Sequence, residues 1–210
     1  MKSATKHAEE LRSLMKRLLK EHKPVPKERQ VPLKALVRAA MSYDMPDSRA
    51  EEAMKAIDKE FVDLNELRVA TDLEIQELLG NRYPLIEKRV AMITLSLNAI
   101  FEKEHTLSLE RLGNISKRDA RQFLRDLPEM NPFVEAYVML FSFDGHSVPV
   151  DGQTVEFLKE EEILEEDVSV EDAQKFIEHH VKAEECYDLY TVLRAAAQSA
   201  GDDSKKKKKK

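Results

Sequence analysis

The sequence predicts an all-α protein, and three observations carry that prediction. Apolar residues recur at three- and four-residue intervals over most of the chain. Ser, Thr or Asp followed three residues later by Glu or Asp precedes several of these runs, the spacing of a helix cap. Only 5 of 210 residues are glycine, while helix-favouring Leu, Ala, Glu and Lys are abundant. No strand alternation of useful length and no internal repeat is present. The length fits one large or two small domains, and an apolar fraction of 42% supplies enough core to exclude wholesale disorder.

The elements follow in order. Residues 5–22 place Leu11, Leu14, Met15, Leu18 and Leu19 on one face of a helix. The three prolines of 23–32 mark a connector. An apolar helix covers 33–43, and Pro46 closes it. Ser48 with Glu51 caps 49–61, and Thr71 with Glu74 caps 72–79. A long helix over 84–103 offers Leu85, Val90, Ile93, Leu95, Leu97 and Ile100 as core residues. Ser108 opens a short helix, and Ser116 with Asp119 caps 117–126. Pro132 starts a strongly apolar helix at 132–143, where its missing N–H costs nothing. The segment 146–150 is extended. Asp151 begins a helix to Leu158, and Ser169 with Asp172 caps a last helix over 170–198. The total is a compact array of about ten helices.

Charge is unevenly distributed. The net of −6 joins a basic start (11 Lys/Arg against 4 Asp/Glu over 1–40) to an acidic stretch (3 against 13 over 156–188). The chain ends in six consecutive lysines, which predicts a disordered tail over 201–210. Such a tail suits phosphate neutralisation, solubility, or folding back on the acidic stretch. No apolar run approaches the roughly 20 residues that span a bilayer, and the start lacks a signal-peptide core. A cytoplasmic protein without membrane contact is the expectation. One cysteine, Cys186, excludes a disulfide or a multi-cysteine metal site within the chain.

One arrangement is unusual. The helix 117–126 leads into LPEMNP at 127–132 and another apolar helix, and then HSVPVDGQTVEFL at 146–158. This resembles the helix–hairpin–helix DNA glycosylases of the endonuclease III superfamily, whose pattern runs roughly L-P-G-[VI]-G-x-K, an apolar helix, then P-x-V-D. Weaker likenesses at 33–53, at Lys88–Ile93 and at 176–189 stand in the family's order. The resemblance implies a two-lobed, endonuclease III-like array. The segment 1–32 packs with a C-terminal lobe at 151–200, 33–150 forms the hairpin lobe, and 201–210 is the tail.

The resemblance also assigns roles. Asp151 matches the catalytic Asp, which activates the nucleophile or stabilises the sugar cation as a flipped base leaves. Its plain alternative is an N-cap. Phe133 stands at the position of the family's nucleophilic Lys, so β-lyase chemistry by that route is excluded. The hairpin Leu127, Pro128, Glu129, Met130 and Asn131 is the DNA-backbone clamp or, with Glu129 and Asn131 replacing two glycines, only a helical turn. Asn131 can keep the turn in a left-handed conformation, while Glu129 sets a carboxylate against phosphate. Asp44 stands where a gap-filling Gln is common, and Tyr43 either stacks on a base or packs. Lys117 and Arg118 are expected phosphate contacts, with the basic N-terminal helix and tail. Adjacent His179 and His180 point apart and cannot chelate one metal together. No metal and no iron–sulfur cluster is expected.

Two functions follow from the resemblance. One is a DNA-binding protein of base-excision repair, a hydrolase of DNA N-glycosylase type that is monofunctional if active. The other is a catalytically degenerate relative serving as a DNA-binding or protein-interaction module. An unrelated all-α interaction protein is the third reading. The partner is double-stranded DNA, held weakly and locally, with nucleoid association and a monomeric state expected.

Overall fold

The computed structural model describes residues 4–80 and 82–207, with side chains from 6 to 201 apart from residue 81. It contains eleven α-helices and no strand among the described residues. They divide into two compact units: residues 29–145, and residues 1–28 with 146–210.

The 29–145 unit holds α2 (Pro32–Ser42), α3 (Asp47–Glu60), α4 (Leu64–Val69), α5 (Asp72–Leu79), α6 (Ile86–Glu104), α7 (Lys117–Arg125) and α8 (Pro132–Phe143). Every residue from Phe133 to Phe143 is buried, as a helix apolar on all sides must be. It packs against α2 and α7, and α2 packs against α3 and α6. The end of the Pro-rich connector joins this unit, because the Gln30 N–H donates to the Phe141 carbonyl at 3.1 Å and Arg29 Nε donates to that of Ser142 at 3.1 Å. A 3₁₀ turn over Glu110–Asn114 replaces the helix expected after Ser108.

Two local expectations change. Ser48 does not cap α3, which begins at Asp47 after the extended Pro46, so Asp47 supplies the favourable first-turn charge instead. The short α4 was not anticipated. Asp63 Oδ1 accepts the N–H groups of Asn65 and Glu66 at 2.8 and 2.9 Å, and Glu66 reaches back to the Val62 N–H at 2.6 Å. The Thr71–Glu74 box forms as the spacing predicts.

The second unit holds α1 (Ala4–Glu21), α9 (Gly152–Glu160), α10 (Val170–His180) and α11 (Cys186–Lys207). Leu11, Leu14 and Leu18 of α1 are buried, and α1 packs on α11, which also packs on α9. The extended segment 146–150 belongs here. Ser147 Oγ and the Val148 N–H both donate to Glu178 Oε1 of α10, at 2.9 and 3.1 Å.

The single helix expected over 170–198 is broken. Val181 and Lys182 are extended, a 3₁₀ turn covers Ala183–Glu185, and α11 starts at Cys186. The break is held by His146, whose Nε2 lies 2.8 Å from the Val181 carbonyl, and by Glu185 Oε2, which accepts the Lys182 N–H at 3.3 Å. These contacts outweigh local helix propensity. The tail also differs from expectation: its backbone is helical from 201 to Lys207, and the last three lysines lie outside the described residues. Lengthening an existing helix avoids the nucleation cost, and lysine is a good helix former.

Candidate functional site

The hairpin is a six-residue connection between α7 and α8. Leu127 is buried and anchors it, and the Met130 N–H donates to the Leu127 carbonyl at 3.3 Å. Pro128 is exposed, and its carbonyl accepts Ser96 Oγ at 3.3 Å. Glu129 is exposed and left-handed, with φ of 55°, a conformation that favours glycine. The turn therefore keeps a left-handed residue where the family pattern has its first glycine, so 127–132 is not a mere continuation of helix.

Asn131 does not adopt the left-handed conformation expected of it. Its φ is −90°, and it acts as the N-cap of α8, with Oδ1 accepting the Phe133 N–H at 2.8 Å. Pro132 has no N–H to offer. The start of α8 thus has one amide engaged by its own cap and one removed by proline, beside an exposed carboxylate. That is a poor cradle for a phosphate.

Phe133 is buried, 1% exposed. Its ring lies 5.6 Å from that of Tyr43 and 6.2 Å from that of Tyr137, and Tyr137 stacks on Phe141 at 4.2 Å. Burial pushes the Tyr137 phenol up, opposed by the hydrogen bond from Gln30 Nε2 at 3.1 Å. Aromatic packing therefore occupies the position at which the family pattern has an amine.

Tyr43 is half-buried at the end of α2, and Asp44 follows in a left-handed conformation with φ of 49°. Arg89, which the sequence reading did not single out, organises this corner. Its guanidinium donates to the carbonyls of Ala40, Tyr43 and Pro84 at 2.6, 2.7 and 2.8 Å. A buried cation there satisfies the exposed carbonyl end of α2. Burial lowers its pKa, and the Asp44 charge opposes that shift. A pocket of about 380 Å³ opens beside it, walled by Tyr43, Lys88, Arg89, Met92, Met130 and Asn131. Leu85, left-handed and 64% exposed, also lines it.

The cations of α7 are largely engaged internally. Arg121 and Arg125 each place Nε 2.8 Å from the buried Glu135 of α8, tying the two hairpin helices together. Lys117, an expected phosphate contact, donates its Nζ to the Phe143 carbonyl at the end of α8. Arg118 is exposed.

Asp151 lies in the other unit, 1% exposed. Its Oδ1 accepts the Thr154 N–H at 2.9 Å and the Thr154 hydroxyl at 2.8 Å, which makes it the N-cap of α9. Its Oδ2 accepts from Arg194 Nη1 of α11 at 2.9 Å, and that side chain is itself 5% exposed. Both oxygens are thus engaged within the unit. Sequence reasoning missed Arg194, because 43 residues separate the partners and only the packing of α9 on α11 joins them.

His180 packs edge-on against Phe176 at 4.8 Å, and burial lowers its pKa, with His179 and Arg12 adding to that shift. Cys186 is buried in the first turn of α11, and its Sγ donates to the Lys182 carbonyl at 3.3 Å. Burial and the nearby Glu178 push its thiol up to about 11. A single buried thiol of this kind does not fit the four-cysteine ligation of an iron–sulfur cluster.

This architecture is the all-α fold of endonuclease III-like DNA glycosylases. Among solved structures, Clostridium acetobutylicum 8-oxoguanine glycosylase/lyase with DNA containing cytosine opposite 8-oxoG is 17% identical, with a TM-score of 0.72 over 93% of this chain and 70% of that one. A non-covalent endonuclease III–DNA complex is 14% identical, with a TM-score of 0.71 over 89% and 84%. H. pylori 3-methyladenine DNA glycosylase (MagIII) bound to 1,N6-ethenoadenine is 14% identical, with a TM-score of 0.67 over 94% and 98%. At these identities the likeness is one of fold. No family model matches the sequence, and no curated protein matches it either. No helix among the described residues is long and apolar enough to cross a membrane.

Proposed function

We propose that this protein binds duplex DNA on a glycosylase fold whose catalytic positions have become structural. The observation that carries this reading is Asp151. A carboxylate that activates water or faces a sugar cation needs an oxygen open to substrate. Here one oxygen caps α9 and the other holds the buried Arg194. Phe133 adds support, because a packed phenyl ring cannot form a Schiff base. The DNA partner is supported by the solved structures sharing the fold, several of which hold DNA.

The competing reading is a monofunctional glycosylase, favoured by the place of Asp151 at a helix start directly after Pro149 and Val150. Two measurements on one set of duplexes separate the readings. The duplexes carry uracil, mismatched thymine, an oxidised base or an alkylated base. Expected are duplex binding and no base release from any of them. Release that Asp151→Asn abolishes, measured below the melting point of the variant, overturns the proposal in favour of the glycosylase. Absence of duplex binding overturns both readings.

A further inference from the structure

We infer that an exposed cationic stripe on α1 (Arg12, Lys16 and Lys20) is a phosphate-binding element of this chain, an inference that rests on the duplex-DNA reading above. The three residues are spaced four apart, so each lies about 6 Å further along one face of the helix. Burial of Leu11, Leu14 and Leu18 on the opposite side fixes that face toward solvent.

The stripe differs from the other cations of α1. Lys6 pairs with Glu10 at 3.5 Å and Arg17 with Glu161 at 2.6 Å. Arg12, Lys16 and Lys20 are all exposed, and none forms an ion pair among the described residues. The carboxylates on the exposed side of α1 nearest the stripe, Glu9 and Glu21, stand at its two ends.

A cation already held by a carboxylate or a carbonyl gives up that contact to meet a phosphate. Lys117 is held by a helix-end carbonyl, Arg121 and Arg125 are held by Glu135, and Glu129 repels. Among the described residues the α1 stripe has no such contact to lose. A linear array of separate charges suits a polyanion with regularly spaced phosphates, and counterion release then supplies the affinity.

The test is the salt dependence of binding to an undamaged 20-base-pair duplex, followed by fluorescence anisotropy on the full chain. Replacing all three residues by alanine is expected to reduce the slope of log K against log salt by about 2.7. Between 50 and 200 mM salt this removes about 40-fold of salt-dependent change in affinity. Lys16→Arg with Lys20→Arg keeps the charge and is expected to keep the slope, which excludes a structural effect. An unchanged slope in the triple variant overturns the stripe while leaving duplex binding intact. Failure of the wild-type chain to bind duplex overturns both proposals, and binding to anionic lipid vesicles but not to duplex does the same.

Discussion

Replacing Asp151 by asparagine separates structure from chemistry. Asparagine caps a helix about as well as aspartate, so the bonds to Thr154 have a substitute. The negative charge facing Arg194 does not. The Arg194 and Asp151 side chains are only 5% and 1% exposed, and the pair is 2.9 Å apart, so the guanidinium is left buried without its counter-charge. Removing one partner of a buried pair typically costs about 3–5 kcal/mol. For a chain of this size each kcal/mol shifts Tm by about 2–4 °C, so Asp151→Asn is expected to melt about 6–20 °C below wild type. Adding Arg194→Met, which replaces the stranded cation by an apolar side chain, is expected to recover most of the loss. Circular dichroism at 222 nm during heating reads both. An Asp151→Asn chain melting within about 2 °C of wild type would refute a structural role for the pair.

Four further outcomes follow from the geometry. Glu135→Gln is expected to cost about 2 kcal/mol in urea unfolding, the range for charge-assisted hydrogen bonds, whereas Arg125→Ala costs less than about 1, because Arg125 is 54% exposed and Arg121 remains on the carboxylate. Glu129→Gly removes both a left-handed side chain and a carboxylate from the hairpin, so stability is expected to hold or rise by up to about 1 kcal/mol while duplex affinity increases; weaker duplex binding would contradict the repulsion argument. The hydrogen bonds from Arg111 hold Glu104 below the usual carboxylate range, so its contribution is present above about pH 4.3 and is lost as pH falls through the lower folded-state value; Glu104→Gln is expected to flatten the acid limb of a Tm–pH curve, modestly because Arg111 is half-exposed. Cys186, buried and with its thiol pushed up to about 11, is expected to resist thiol reagents at pH 8 in the folded chain and to react on unfolding in urea.

The helices were legible because their signals are local. Ser116 and Ser169 accept amides three residues on, and the Thr71–Glu74 box closes, each as spacing alone predicts. The failures have a common physical source. The break at Val181 carries no Gly or Pro and is set by His146, 35 residues away. Arg89 reads as one more helix cation until three carbonyls converge on it across 5 to 49 residues. Of the site, Asp151 as an N-cap was readable, and its second partner Arg194 was not, because no pattern connects residues on two helices that meet only after packing.

The chemistry a fold family needs and the contacts its helices need fall on the same residues here. An aspartate at the start of α9 is a good cap whether or not it faces substrate, so this structural role holds the residue in place without any demand from chemistry. The second oxygen is engaged as well, by Arg194. The hairpin shows the same logic. An asparagine that caps α8 and a proline that starts it stabilise the helix while removing amides that a phosphate would use. Phe133 follows, since a phenyl ring between Tyr43 and Tyr137 contributes buried apolar area where a charged amine would carry a desolvation cost. The architecture matches the fold of the glycosylases, while the hairpin and Asp151 are engaged in contacts of their own.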